Sequence, residues 1–178
     1  MLDLAPGEIV MEKKLMALIL VSTVLSLAVL SCITSPITVQ IRSQSEKVEL
    51  EDAESVNVDI LMRAGKLEVN GGADSLLEGE FFYSNRAYAP EVSYRVRSNG
   101  VGSLQILQDD KPGIQIPPSY KNDWDLTFNN DIPMDMEVTL GAGESILNLG
   151  DLALDNFTMQ MGAGESYVDL SGDIKDDL

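Results

Sequence analysis

The chain has 178 residues, with 29 acidic against 12 basic side chains, a formal net charge of −17, no histidine and one cysteine. Without histidine or a second cysteine it can build no Ser-His-Asp relay, no Cys-His pair, no histidine-ligated zinc and no disulfide within one chain. The acidity removes the basic footprint that nucleic acid or an anionic lipid surface requires and fits solubility outside the cell, with calcium or a cationic wall component as its sharper use.

Residues 1–10 carry Asp3 and Glu8 where an export signal needs positive charge, so Met11 is the expected start and this stretch an upstream mis-start. Residues 11–31 then read as a lipoprotein signal peptide: Lys13 and Lys14, a long uncharged apolar run, and Ala28-Val29-Leu30-Ser31 ahead of Cys32. Cys32 is the expected lipidation site, at the one place where a thiol is acylated after export. The run at residues 15–33 is also about long enough to cross a bilayer, which takes roughly 20 apolar residues, so an uncleaved helical anchor is the competing reading. Either way the expected location is the cell membrane, on its extracytoplasmic side. Residues 32–45, with Ser, Thr, Gln and Pro36, read as a tether.

From residue 46 to 178 the pattern is period two, the mark of half-buried strands: Val58, Ile60 and Met62; Val92, Tyr94 and Val96; Met136, Val138 and Leu140; Phe157, Met159 and Met161. Four stretches repeat strand, glycine turn and strand: Arg63-Ala64-Gly65-Lys66-Leu67-Glu68-Val69, Gly100-Val101-Gly102-Ser103-Leu104-Gln105-Ile106, Gly141-Ala142-Gly143-Glu144-Ser145-Ile146-Leu147 and Gly162-Ala163-Gly164-Glu165-Ser166-Tyr167-Val168. The last two lie 21 residues apart and are nearly identical, which signals stacked units. Aligned, Val69, Ile106, Leu147 and Val168 share one inward position, and Leu67, Leu104, Ser145 and Ser166 the one two residues earlier. Ahead of the turn, Ile60, Val138 and Met159 match, then Met62, Leu140 and Met161. The expected fold class is all-β, a β-solenoid-like stack of short strands with glycine turns, preceded by the N-terminal signal or anchor helix. Parallel stacking is expected, although a three-residue glycine turn can also close a bulged hairpin.

The Gly-Ala-Gly turns are followed by strand and by Glu, so they lack the helix and the basic residue that a phosphate cradle needs. Glu144 and Glu165 should fall on adjacent strands roughly 5 Å apart. Either both splay into water, or they form a cation or partner contact, joined by Asp151 or Asp169; Lys66 holds the matching place in the first copy. Residues 109–130 are rich in Pro, Gly, Asp and Asn and contain the only tryptophan, Trp124. Trp124 reads as packing over an open end of the core, or as a sugar-stacking platform with Tyr120.

The repeat, with Trp124-Asp125-Leu126, Ile132-Pro133-Met134 and Asp169-Leu170-Ser171-Gly172, resembles the bacterial toast-rack domain family. Related repeats occur in the C-terminal part of cell-wall-antibiotic-response proteins and in proteins proposed as adhesins. The resemblance implies a non-catalytic β-repeat domain facing the envelope, with no catalytic residue, metal or cofactor to carry over. It also implies further strands after residue 172, so a stack that stops at Leu178 is expected to be truncated and to self-associate through an open β edge. The function expected is a lipid-anchored binding or sensory module, with an envelope protein or wall glycan as partner and no nucleic acid. An adhesin or structural spacer is the alternative, and a carboxylate-dependent polysaccharide enzyme a third reading.

Overall fold

A computed structural model describes residues 40–108 and 120–172. The expected signal peptide, Cys32 and the start of the tether lie outside them. Among the described residues eight strands follow in order: β1 Arg42–Val48, β2 Ser55–Gly71, β3 Leu77–Tyr83, β4 Pro90–Val96, β5 Val101–Gln108, β6 Asn122–Phe128, β7 Met134–Asn148 and β8 Leu154–Asp169. β1 thus lies partly in the stretch expected to be tether, as Arg42–Ser45 pair with Glu80–Tyr83 of β3.

Three long strands, β2, β7 and β8, stack in parallel, with Gly65, Gly143 and Gly164 in register. Each is bent at this corner into two limbs. The corner fixes the residue type twice over. The three glycines have φ of +140°, +136° and +128°, a region that L side chains rarely adopt. A Cβ on Gly143 would also stand 1.9 Å from the carbonyl oxygen of Gly65, and one on Gly164 1.8 Å from that of Gly143. Neighbouring rungs approach so closely here that no side chain fits between them.

The spatial order of the rungs is not their order in sequence. β5 lies parallel to the first limb of β2, from Ser55↔Val101 to Leu61↔Leu107. β6 lies parallel to the second limb, from Lys66↔Asp123 to Gly71↔Phe128. Together they form a rung split between two strands, so the stack runs β5/β6, β2, β7, β8. Antiparallel strands then extend it beyond the split rung: β4 beside β5, and β3 followed by β1 beside β6.

This corrects the second copy of the expected repeat. Gly100-Val101-Gly102 is no rung corner but the tight connection between β4 and β5, where Gly100 has φ +79° and its N–H donates to the Arg97 carbonyl at 3.0 Å. A hairpin turn and a solenoid corner both demand glycine, one for a positive φ and the other for close approach as well. Leu104 and Ile106 accordingly stack on Val58 and Ile60, ahead of the corner. The places beside Leu67 and Val69 belong to Trp124 and Leu126. The other three copies hold the expected register throughout: Ile60↔Val138↔Met159 before the turn and Val69↔Leu147↔Val168 after it.

Period two turns one side of both limbs inward to a single core. Val56, Val58, Ile60 and Met62 come from the first limb of β2 and Leu67 and Val69 from the second, all buried. Trp124 lies inside this core, 1% exposed, edge-on to Phe81 with ring centroids 5.6 Å apart. The sugar-platform reading of Trp124 is therefore overturned, and the ring packs on the core as expected, though between β2 and β3 rather than over an open end. Its ring fills the inner position of a split rung, and Tyr120 is held as well: its hydroxyl donates to the Ala64 carbonyl at 2.6 Å and its ring meets Tyr88 edge-on at 4.8 Å.

Asn122 closes the missing corner. Its amide donates to the Ala64 carbonyl at 2.7 Å and to Gln108 Oε1 at 3.2 Å, and its Oδ1 accepts from Trp124 Nε1 at 2.9 Å. Gln108 Oε1 also accepts the Arg63 N–H at 2.9 Å. Side chains thus satisfy the backbone groups that an unbroken neighbouring rung would have paired.

Candidate functional site

The outward residues of the second limb form rows that cross the strands. One row runs Phe82, Asp123, Lys66, Glu144 and Glu165, by the pairings Phe82↔Asp123, Lys66↔Asp123, Lys66↔Glu144 and Glu144↔Glu165. Glu144 and Glu165 therefore do sit side by side on β7 and β8, both exposed. Asp169 is four residues further along β8, and Asp151 lies in the connection after β7, so neither joins them. Asp169 is occupied instead with Ser171, whose N–H and hydroxyl both donate to its Oδ1 and hold its carboxyl below the ordinary aspartate range. Lys66 turns along its own strand to Glu68, at 3.4 Å, rather than across to Glu144. Among the described residues no group of three or more acidic side chains is arranged to hold a metal ion.

The next row is more concave. Ser45, Glu80, Asp125 and Glu68 follow one another across β1, β3, β6 and β2. Adjacent strands are about 4.8 Å apart, so three carboxylates stand in a line, of which Glu68 is paired with Lys66 of its own strand. Partial desolvation, and then the charges of Glu68 and Glu80, push the Asp125 carboxyl above its ordinary pKa, with Lys66 opposing. Beside this row is a groove of about 510 Å³ lined by Ser45, Glu46, Lys47, Glu78, Glu80 and Asp125, among others. Lys47 reaches Glu49 at 3.4 Å and Glu78 at 3.8 Å, so one wall of the groove is already ion-paired.

Carboxylates in this arrangement accept hydrogen bonds. Spread along a shallow outer face, they can accept several hydroxyl or ammonium donors at once. Glu68, Glu80 and Asp125 come from three strands that are not consecutive in sequence, and their only sequence signature is the polar phase of an alternating pattern.

These features define a short β-solenoid-like repeat domain with an acidic outer face. The family described as the N-terminal domain of toast_rack, DUF2154, matches residues 37–178, and the chain belongs to it. A candidate cell adhesion protein from Clostridium sporogenes is similar in structure at 28% identity and a TM-score of 0.73, the match covering 78% of this chain and 66% of that one. A candidate adhesin from Bacteroides fragilis is similar at 11% identity and a TM-score of 0.36, over 72% of this chain and 62% of the other. The chain thus spans two thirds or less of the length of these solved structures. No curated protein matches it significantly.

Proposed function

We propose that the chain is a lipid-anchored adhesion module of the bacterial cell envelope, which binds a wall polymer or a neighbouring surface and carries out no reaction on it. The observation that carries this reading is the likeness, at 28% identity and a TM-score of 0.73, to a candidate cell adhesion protein. The sequence supplies the anchor: Cys32 follows a small residue at the end of an apolar run, and the segment up to β1 holds the domain off the membrane. The groove beside Glu80 and Asp125 supplies a face rich in acceptors for hydroxyl and amino donors. An adhesion surface gains strength from many copies on one membrane, so modest affinity per module suffices.

Two measurements on the full chain in bacterial membranes test this together. Metabolic labelling with an alkyne fatty acid should mark the protein and fail in Cys32→Ser. Binding of the membranes to immobilised wall polysaccharide should fall about tenfold in Glu80→Gln/Asp125→Asn, the loss of roughly 1.4 kcal/mol expected for charged hydrogen-bond acceptors. Labelling that persists without Cys32 removes the anchor. Binding indifferent to the groove variant removes the site, and turnover of the polysaccharide removes the non-catalytic reading.

A further inference from the structure

In a chain with 29 acidic side chains against 12 basic ones, cations are expected to lie beside carboxylates. The lysines of the described residues do so: Lys47 with Glu49 and Glu78, Lys66 with Glu68, and Lys121 with Asp123. Arg95 and Arg97 do not. Val92, Tyr94 and Val96 of β4 turn inward against the core, so Arg95 takes the outward phase. Arg97 follows the last residue of β4 on the same side, and its N–H donates to the Val101 carbonyl at 3.0 Å, which carries the ladder one residue on. Both side chains are exposed, and among the described residues neither guanidinium has an ion pair. Two residues of extended chain set them about 6.6 Å apart, near enough for both to meet one small group.

The ground around them is neutral and rich in donors. Arg95 faces Ser103 of β5, and Ser93 faces Gln105. A pocket of about 200 Å³ is lined by Ser93, Tyr94, Arg95, Arg97, Ser103 and Gln105, with no carboxylate among them. The acidic face begins one strand further on, where Asn57 lies beside Ser103 and Asp59 beside Gln105, and on β4 itself Glu91 is two residues from Ser93. The neutral outward side of β5 therefore separates the arginines from Asp59. Protection of a sheet edge explains a charge on β4, which either sign supplies, but not two unpaired guanidiniums beside a floor of hydroxyl and amide.

We propose that this pocket binds one tetrahedral oxyanion, a phosphate group carried by a small soluble molecule. A guanidinium presents its N–H donors in a planar fork that matches the oxygens of a phosphate two at a time. One such fork fills a carboxylate, whereas a phosphate has oxygens for two forks and for the hydroxyls of Ser93 and Ser103 besides. The net charge of −17 repels a membrane of anionic lipid and a long run of phosphates alike, so the ligand is a single group that enters the pocket alone. The site does not rest on the adhesion reading. It lies beside the first limb of β2, whereas the groove at Glu80 and Asp125 lies beside the second.

The test follows the modification of individual arginines by phenylglyoxal in the purified full chain, read by peptide mass spectrometry. Inorganic phosphate at about 10 mM should slow the modification of Arg95 and Arg97 at least about threefold, with a Kd on the order of 1 mM, relative to chloride at equal ionic strength. Arg42 and Arg86, which are also exposed, should react as before. Glycerol phosphate should protect the same two residues. In Arg97→Gln, a change at an exposed position past the end of β4, the phosphate concentration that protects Arg95 should rise about tenfold, because one anion is shared between two forks. Equal slowing at all these arginines, slowing at none, Arg95 protected as well without Arg97, or protection by phosphatidic acid vesicles with none by inorganic phosphate would each overturn the proposal.

Discussion

Gly143→Ala should be among the most damaging single-methyl changes in this chain, and two other glycines separate its causes. Gly143 combines φ +136° with a Cβ position 1.9 Å from the Gly65 carbonyl oxygen. Gly72 has φ +111° but nothing within 4 Å of its Cβ position. Gly141 has no positive φ, yet its Cβ would stand 2.3 Å from the Arg63 carbonyl oxygen. A residue held in a sparsely populated backbone region costs about 1–3 kcal/mol. Forcing extra volume into packed structure costs about as much again, and more where the obstacle is backbone. Against both stands a gain of about 0.4–1 kcal/mol from a stiffer unfolded chain. The expected losses are then about 1–2 kcal/mol for Gly72→Ala, about 2–3 for Gly141→Ala and about 3–5 for Gly143→Ala. The last is a large part of a typical stability of 5–15 kcal/mol. Equilibrium urea unfolding followed by the fluorescence of Trp124, the single and buried tryptophan, reads all three. A Gly143→Ala loss within about 0.5 kcal/mol of that of Gly72→Ala would refute the close approach at the corner, because only φ would then matter.

Asn122→Ala removes the acceptor for the Trp124 indole N–H and two donors at the open corner, and should lower stability by about 2–4 kcal/mol, with a red-shifted Trp124 emission marking water at that corner. The two perturbed carboxylates act on acid stability in opposite directions. Asp125 has its folded pKa raised, so the folded state holds its proton more tightly, its strain is felt above that pKa and relieved as pH falls through it; Asp125→Asn should stabilise at neutral pH and flatten that limb. Asp169 has its folded pKa lowered, so its contribution is full above the unfolded value and is lost as pH falls through the folded one; Asp169→Asn should remove that part of acid unfolding. Unfolding midpoints between about pH 3 and 7 check both, and like-signed changes would contradict the assignment.

Much of the stack is legible in the sequence because its rungs copy one another. Gly-Ala-Gly-Glu-Ser at residues 141–145 and 162–166 fixes corner and register at once, and Ala64-Gly65 carries the same corner with Lys66 in place of Glu. The split rung is illegible for a physical reason. It is made of two strands apart in sequence, and Gln108, Tyr120 and Asn122 satisfy backbone groups of Arg63 and Ala64 with side chains that follow no repeat. Gly100-Val101-Gly102 then offers a false corner, since composition cannot distinguish the two demands that select glycine. The order of rungs is equally hidden, as β5/β6 add to the far side of β2 and so put the second unit in sequence first in space. The paired Glu144 and Glu165 are legible from the period alone. The groove beside Glu80 and Asp125 is not, because it exists only once β1, β3 and β6 have paired.

The adhesion reading is tested most directly by what the acidic face touches in a living cell. A photo-crosslinker at Thr127, in the lining of the groove, should join the membrane-held chain to wall polysaccharide or to a protein of another cell surface, and Glu80→Gln/Asp125→Asn should diminish that product. Recovery of only a cytoplasmic protein, or of no partner across growth conditions in which the chain is present at the surface, would contradict the account.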